Sequence, residues 1–320
     1  MVERCDTGRL PLFFALLRRL SSLADGHSRE GGNLVERAAP ADRPQAITFP
    51  AMSAPSKVVL VTGGGQGLGK SICLRLAGLG HKVYGTSRKA DPAQQPQGYH
   101  LIAMDVTDDA SVAHAVAEII QREGRIDVVV NNAGLGIQGA AEDIPPDLAK
   151  QLFDTNVLGP HRVCRAVVPH MREHKKGLII NISSVAANFG LPYRSFYSAT
   201  KAALDRYSEA LSTEVDRFGI TVVVVQPGEF NTNIGASRLR PSVISEANKP
   251  GYDKAMEILG SSLHYSRDPD ELARVIEGII ASSSPKAMYI VAQGMQRVSV
   301  FAKKILPGRM FERMVRKHYE

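Results

Sequence analysis

The stretch Val58-Val-Leu-Val61, followed by Thr62-Gly63-Gly64-Gly65-Gln66-Gly67-Leu68-Gly69, decides the fold of this 320-residue chain. Four consecutive aliphatic residues, three of them β-branched, read as a strand buried on both faces, the pattern of a parallel sheet rather than a half-exposed hairpin. The glycines that follow end the strand and open a helix carrying Ile72, Leu74, Leu76 and Leu79, which Gly80 terminates. At such a turn the missing side chains let backbone amides approach a pyrophosphate at the positive end of the helix. Glycines also make ordinary tight turns. The strand before and the helix after are what give Gly63, Gly65, Gln66, Gly67, Leu68 and Gly69 their reading as a phosphate cradle.

Outward from that turn the pattern keeps alternating. Residues 83–86, 99–104, 126–130, 177–183 and 220–226 read as strands, with 289–291 as a last one. Helices are predicted over 110–122, 146–174 and the segment carrying Tyr197 and Lys201. Strands interleaved with helices predict an α/β, doubly wound Rossmann fold: a mainly parallel sheet of about seven strands flanked by helices, in one domain with terminal appendages. No internal repeat or low-complexity tract competes with this reading.

Composition narrows the function classes. At 44% hydrophobic and 22% charged residues the chain fits an ordinary globular protein, and no apolar run approaches the ~20 residues needed to cross a bilayer. Cys5, Cys73 and Cys164 show no short paired spacing, so neither a metal site nor a disulfide framework is expected, and the compartment reads as reducing and cytoplasmic. The net charge of +7 is concentrated toward the ends, in Arg18, Arg19, Lys303, Lys304, Arg309, Arg313, Arg316 and Lys317. Without a recognition element or interleaved aromatics, this gives no nucleic-acid reader.

Residues 1–54 have little with which to build a core. The apolar segment 10–17 is followed rather than preceded by Arg18-Arg19 and lacks a small-residue cleavage site, which argues against secretion. Met52-Ser-Ala-Pro-Ser opens directly onto the first strand, so Met52 reads as the natural start and everything before it as a mispredicted or disordered leader, with an amphipathic targeting helix as the alternative. The expected organisation is this leader at 1–54, the Rossmann domain at 55–295 and a basic amphipathic tail at 296–320.

The chemistry sits in Tyr197-Ser-Ala-Thr-Lys201. A tyrosine and a lysine one helical turn apart share a face, and there the ammonium can stabilise a phenolate, which suits the pair to exchanging a proton at neutral pH. With the Thr-Gly-x-x-x-Gly-x-Gly turn upstream, the chain resembles the short-chain dehydrogenases/reductases from residue 57 to about 285, and looks most like the branch of hydroxysteroid and retinol dehydrogenases. The resemblance implies catalytic roles for Asn156, Ser184, Tyr197 and Lys201. Ser184 is preferred to Ser183 because it stands thirteen residues before Tyr197, as the family's serine does. It also implies cofactor contacts from Asn132, Ala133 and Gly134 of the Asn-Asn-Ala-Gly turn, and from Asp105 and Val106 at the adenine ring. Further contacts are implied from Tyr197 and Lys201 at the ribose, and from Pro227, Gly228 and Thr232 around the nicotinamide. On residue chemistry alone, Asn131 to Gly134 could be a plain turn, and Asp105 could cap the following helix.

At the end of the second strand the chain reads Thr86-Ser87-Arg88-Lys89. No acid is present to take a ribose 2′-hydroxyl, and Ser87 with Arg88 would meet a 2′-phosphate, so NADP(H) is expected over NAD(H). Gln66 stands where many NADP members carry a second base, which moderates that preference.

The segment 229–267 is expected to cover the substrate, with Ile234, Leu239, Val243, Ile258, Leu263 and Tyr265 as apolar points. Leu135 to Ile137, Pro192, Tyr193 and Phe196 could add wall or only pack the lid. The expected reaction is hydride transfer between NADP(H) and a hydrophobic ketone or secondary alcohol, steroid-, retinoid- or lipid-like. The alternative is an NADP(H)-binding regulator without turnover; a sugar-nucleotide epimerase would need another glycine spacing and a larger C-terminal domain. Relatives of this kind form homodimers or homotetramers. The tail suits either packing on the domain or peripheral contact with an anionic membrane.

Overall fold

The computed structural model describes residues 55–319, apart from 92–94, 96–97, 231–237 and 263–266. The expectations for the leader, for Thr232, and for Ile234, Leu263 and Tyr265 therefore lie outside the described residues.

Seven strands form one sheet: β1 Val58–Val61, β2 Lys82–Ser87, β3 His100–Ala103, β4 Val128–Asn131, β5 Gly177–Ile182, β6 Ile220–Pro227 and β7 Met288–Val291. Their order is β3-β2-β1-β4-β5-β6-β7 and every neighbouring pair is parallel. The chain leaves β1 toward β2 and β3, then returns across β1 to β4, so the order reverses between β1 and β4. The connections after those two strands diverge and leave a crevice at their carboxyl ends.

The helices are α1 Gly67–Gly78, α2 Asp109–Glu123, α3 Pro146–Phe153, α4 Gly159–Glu173, α5 Ser195–Val215, α6 Lys249–Ser262, α7 Pro269–Ala281, α8 Gly294–Ile305 and α9 Gly308–Tyr319. Alternation along the strands sorts the core into two layers. Val58 and Leu60 face α2, α4 and α5, packing with Val116, Val163 and Leu211. Val59 and Val61 face α1 and α7, packing with Ile72, Leu76, Leu272 and Ile276. On α1 the buried residues are Ile72, Cys73 and Leu76, whereas Leu74 and Leu79 are exposed at 44% and 49%. Those two leucines are thus surface residues. At 100° per residue Leu74 points away from the face shared by Ile72 and Leu76.

The predicted helix over 146–174 is interrupted. Asp154–Leu158 forms a widened π turn between α3 and α4. Such turns concentrate at functional positions, and Asn156 sits in this one.

Residues after β7 fold as two helices separated at Pro307. Val300, Ala302 and Phe311 are buried, and the Phe311 ring meets Phe189 edge-on at 5.1 Å. Their inner face is therefore part of the domain. Among the described residues no helix is long and apolar enough to cross a membrane.

Candidate active site

Every sequence-predicted site residue within the described region stands at or just beyond the carboxyl end of a strand, or on a helix crossing that edge. After β1, Gly63 takes φ +68°, which residues with a Cβ rarely adopt. At Gly69 a Cβ would stand 2.5 Å from Asn132 Nδ2 and closer still to the Gly63 carbonyl oxygen. The turn is packed so tightly that only backbone fits. The first turn of α1 carries no acidic residue, so the free amides of Gly67, Leu68 and Gly69 end in an uncancelled positive dipole.

Thr62 joins this turn to the next strand end. Its hydroxyl accepts from Asn132 N at 2.9 Å and Ala133 N at 2.8 Å, and its carbonyl accepts from Asn132 Nδ2 at 2.9 Å. The Asn-Asn-Ala-Gly turn is therefore also a structural tie. One residue earlier, Asn131 Nδ2 donates to Asn181 Oδ1 at 2.8 Å, bridging β4 to β5.

Asn156 is 1% exposed, with its amide divided between two neighbours. Oδ1 accepts from Leu135 N at 2.8 Å, while Nδ2 donates to Leu135 O at 2.9 Å and Thr200 Oγ1 at 3.1 Å. The same β4 exit and the helix bearing Lys201 are thus clamped by one side chain. A Cβ placed on Gly134 would stand 3.3 Å from Asn156 Oδ1 and 3.6 Å from Lys201 Nζ, so these two atoms lie within about 7 Å of each other.

Helix α5 carries Tyr197 and Lys201. Lys201 is 6% exposed; its Nζ donates to Ile182 O at 2.9 Å and stands 5.9 Å from the centroid of the Tyr197 ring. Burial pushes the Lys201 ammonium below its ordinary range, opposed by negative charge at Tyr197 and Asp205. Ser184 follows β5, with Oγ accepting from Ala186 N at 3.2 Å and donating to Pro227 O at 3.5 Å. Ser183 Oγ instead donates to Lys201 O at 3.3 Å, directing it to the inner side of α5.

Ser87 ends β2 and the exposed Arg88 follows it. Asp105 Oδ1 accepts from Thr107 N at 2.9 Å and Thr107 Oγ1 at 2.8 Å. Burial would raise this carboxyl, yet those hydrogen bonds and the charges of Arg88 and Arg162 leave it below its usual range. The helix cap is Asp108, which accepts from Ser111 N, so Asp105 is not the cap. Val106 packs beneath Gly159. Gly228 continues from β6, its N donating to Val291 O at 2.9 Å, and lies against Gln296 of α8.

Two features escape sequence reading. Asp205, one turn beyond Lys201 on α5, is 4% exposed and accepts from Gln226 Nε2 at 2.6 Å; Gln226 Oε1 in turn accepts from Asn188 Nδ2 at 2.8 Å. Burial pushes the Asp205 carboxyl upward, opposed by the hydrogen bond from Gln226 and by the Lys201 charge. The i to i+4 spacing from Lys201 was the available signal. The second feature is segment 238–240, which lies along 136–138; nothing local announces that docking.

With this geometry, the match to known proteins is decisive. The sequence profile described as short chain dehydrogenase matches residues 57–241. The chain belongs to the short-chain dehydrogenase/reductase family. A 3-ketodihydrosphingosine reductase of Bacteroides thetaiotaomicron is 38% identical, over 82% of this chain and 98% of that protein. An uncharacterized oxidoreductase of Bacillus subtilis, YusZ, is 30% identical over 82% and 98%. Among solved structures, a short-chain dehydrogenase from Streptomyces avermitilis superposes with a TM-score of 0.69 at 32% identity, covering 78% of this chain and 94% of its own. As a member of this family, the chain is an NAD(P)-dependent oxidoreductase acting on a small-molecule substrate. The cradle at Gly63 to Gly69 fits the dinucleotide: it admits no Cβ at Gly69 and no acid stands in the adjoining helical turn.

Proposed function

We propose that this chain reduces hydrophobic, lipid-like ketones to secondary alcohols with NADPH, using Asn156, Ser184, Tyr197 and Lys201. The observation that carries the proposal is the buried Lys201 ammonium, held by the Ile182 carbonyl at 2.9 Å and standing 5.9 Å from the Tyr197 ring. In this arrangement the Tyr197 hydroxyl delivers its proton to a ketone oxygen with the lysine's positive charge beside it. Ser184 Oγ donates a hydrogen bond to the same oxygen and orients it. When bound, the nicotinamide supplies the hydride, which no side chain can. To close the cycle, the Lys201 ammonium would return a proton to the Tyr197 phenolate, and a water placed between Asn156 Oδ1 and Lys201 Nζ, beside Gly134, would reprotonate the lysine.

In this reading Gly63, Gly65, Gln66, Gly67, Leu68 and Gly69 hold the pyrophosphate, and Asn132, Ala133 and Gly134 line the cofactor. Asp105 and Val106 meet the adenine, and Pro227 and Gly228 the nicotinamide end. Arg88 with Ser87 meets the 2′-phosphate; the absence of an acid at this strand end supports NADPH. Lipid-like ketones are supported by the name of the Bacteroides relative and by an apolar cluster joining Leu135, Ile137, Phe196, Tyr197 and Leu239. Val243, at 72% exposed, does not belong to that wall.

NADPH consumption with 2-ketones of increasing chain length tests this. Each buried methylene contributes ~0.8 kcal/mol, so kcat/KM should rise roughly fourfold per carbon until the wall is filled. A flat series, or equal efficiency with NADH, contradicts the proposal.

Peripheral contact with an anionic lipid surface accords with the same substrate class. The outer face of α8 presents Phe301 and Ile305, 64% and 57% exposed, with Arg297 and Lys304 beside them. In flotation with phosphatidylserine vesicles, Phe301→Ser with Ile305→Ser should lower recovery several-fold; unchanged recovery removes membrane contact from the account.

A further inference from the structure

The wall beside Tyr197 carries more positive charge than an apolar substrate needs. Ile137 and Leu239 form a parallel bridge, with Gln138 N donating to Leu239 O at 3.0 Å and Leu239 N to Gly136 O at 2.9 Å. This pairing lays Arg238 on Gly136, where a Cβ would stand 3.0 Å from Arg238 Cγ and 3.5 Å from Nε. Leu239, its neighbour, packs in the cluster that contains Leu135, Phe196 and Tyr197. The lack of a side chain at Gly136 is what makes room for the arginine.

Three guanidinium groups meet here with one carboxylate. Arg194, 17% exposed and immediately before α5, pairs with Glu229 at 3.9 Å. Arg240 Nε donates to Gln138 Oε1 at 3.3 Å. Arg238 is half-buried, and among the described residues it makes no hydrogen bond or ion pair. Burial pushes its guanidinium below the ordinary range, as do Arg194 and Arg240, while Tyr197 and Glu229 oppose them. Among the described residues no carboxylate pairs directly with this partly desolvated cation, and Glu229 is already taken by Arg194, so an incoming negative group would recover folding free energy.

We infer that Arg238, backed by Arg194, is an anion subsite beside Tyr197, so that the ketone is an amphiphile carrying a carboxylate or phosphate near its carbonyl. The inference rests on the ketone-reductase reading of Tyr197. Its apolar chain lies on the Leu135, Ile137, Phe196 and Leu239 wall, and its anion takes the planar guanidinium, which suits two-point binding of either oxyanion. A ketone bearing a primary ammonium at the same place, as 3-ketodihydrosphingosine does, meets repulsion instead, so the inferred substrate shares the apolar chain suggested by the Bacteroides relative's name but not its polar group.

Calorimetric titration of the full chain with decanoate, decyl phosphate and decanol tests the subsite without turnover. The anions should bind at least tenfold more tightly than decanol, Arg238→Gln should erase that advantage, and Arg238→Lys should recover part of it. The anion that loses more affinity in Arg238→Gln identifies carboxylate or phosphate as the natural group. Equal binding of decanol and both anions to the unaltered chain overturns the subsite, as does unchanged anion binding in a folded Arg238→Gln. Steady-state reduction separates the two readings. Turnover of neutral ketones or amino ketones as efficient as that of matched keto acids removes the anion subsite and leaves ketone reduction standing. Arg238-dependent anion binding with no ketone reduced does the reverse.

Discussion

Two glycines of one helix, Gly69 and Gly78, give a matched test of the phosphate cradle. At Gly69 a Cβ would stand 2.5 Å from Asn132 Nδ2 and nearer still to the Gly63 carbonyl, about 1 Å inside ordinary contact, and one of those atoms is backbone held by the strand. At Gly78, the last residue of the same helix, nothing lies within 4 Å. Alanine at either position gains helix propensity and loses unfolded-state entropy, together ~0.5–1 kcal/mol in favour of folding. At Gly69 overpacking outweighs this at ~1–3 kcal/mol, and relieving it must separate the Gly63 turn from Asn132. Gly69→Ala should therefore lower unfolding stability by ~1–2 kcal/mol in urea and weaken NADP(H) binding by calorimetry at least tenfold, because the amides of that turn are displaced. Gly78→Ala should raise stability slightly and leave the nucleotide affinity alone. Equal behaviour of the two variants would refute the cradle geometry.

Thr62→Val removes the hydroxyl that accepts from the amides of Asn132 and Ala133. With two part-buried donors unpaired, stability measured in urea should fall by ~1–3 kcal/mol, and Thr62→Ser should keep most of it. Arg88→Ala should cut kcat/KM for NADPH by roughly 10- to 100-fold while barely changing that for NADH, the range expected of a charge-assisted hydrogen bond. For pH dependence, the Asp205 carboxylate favours the protonated form of Lys201, one turn away and already lowered by burial. Asp205→Asn lowers the lysine further, so Lys201 loses its proton at a lower pH. The alkaline limb of log kcat/KM should shift to lower pH, and an unmoved limb would contradict the coupling.

Much of the fold is legible because it rests on strong local signals. The aliphatic runs at 58–61, 128–130 and 222–225 are buried on both faces, and the glycine turn needs a strand on one side and a helix on the other. Boundaries shift by a residue or two where fraying decides them, as at Lys82 and Ser87 of β2. The helix face of α1 was less readable, because Ile72, Leu74 and Leu76 alternate as in a strand, and packing on α7 selects Ile72, Cys73 and Leu76. The π turn holding Asn156 has no proline or glycine within it to announce it. In the site, Tyr197 and Lys201 could be placed by helical spacing alone. Asp205 shares their helix, yet its partner Gln226 comes from β6, and Asn188, which donates to Gln226, comes from the loop after β5. Arg238 depends wholly on long-range pairing of 238–240 with 136–138. Local periodicity does not encode contacts of that kind.

In the proposed reaction the Tyr197 hydroxyl delivers the proton while the buried Lys201 holds its charge in place. Tyr197→Phe removes one oxygen from a ring that otherwise keeps its packing against the Leu135, Phe196 and Leu239 cluster. Single-turnover reduction of a ketone by enzyme-bound NADPH should slow by ~10²–10⁴-fold, with the melting temperature unchanged. A folded Tyr197→Phe enzyme that turns over at the rate of the unaltered chain would contradict the account.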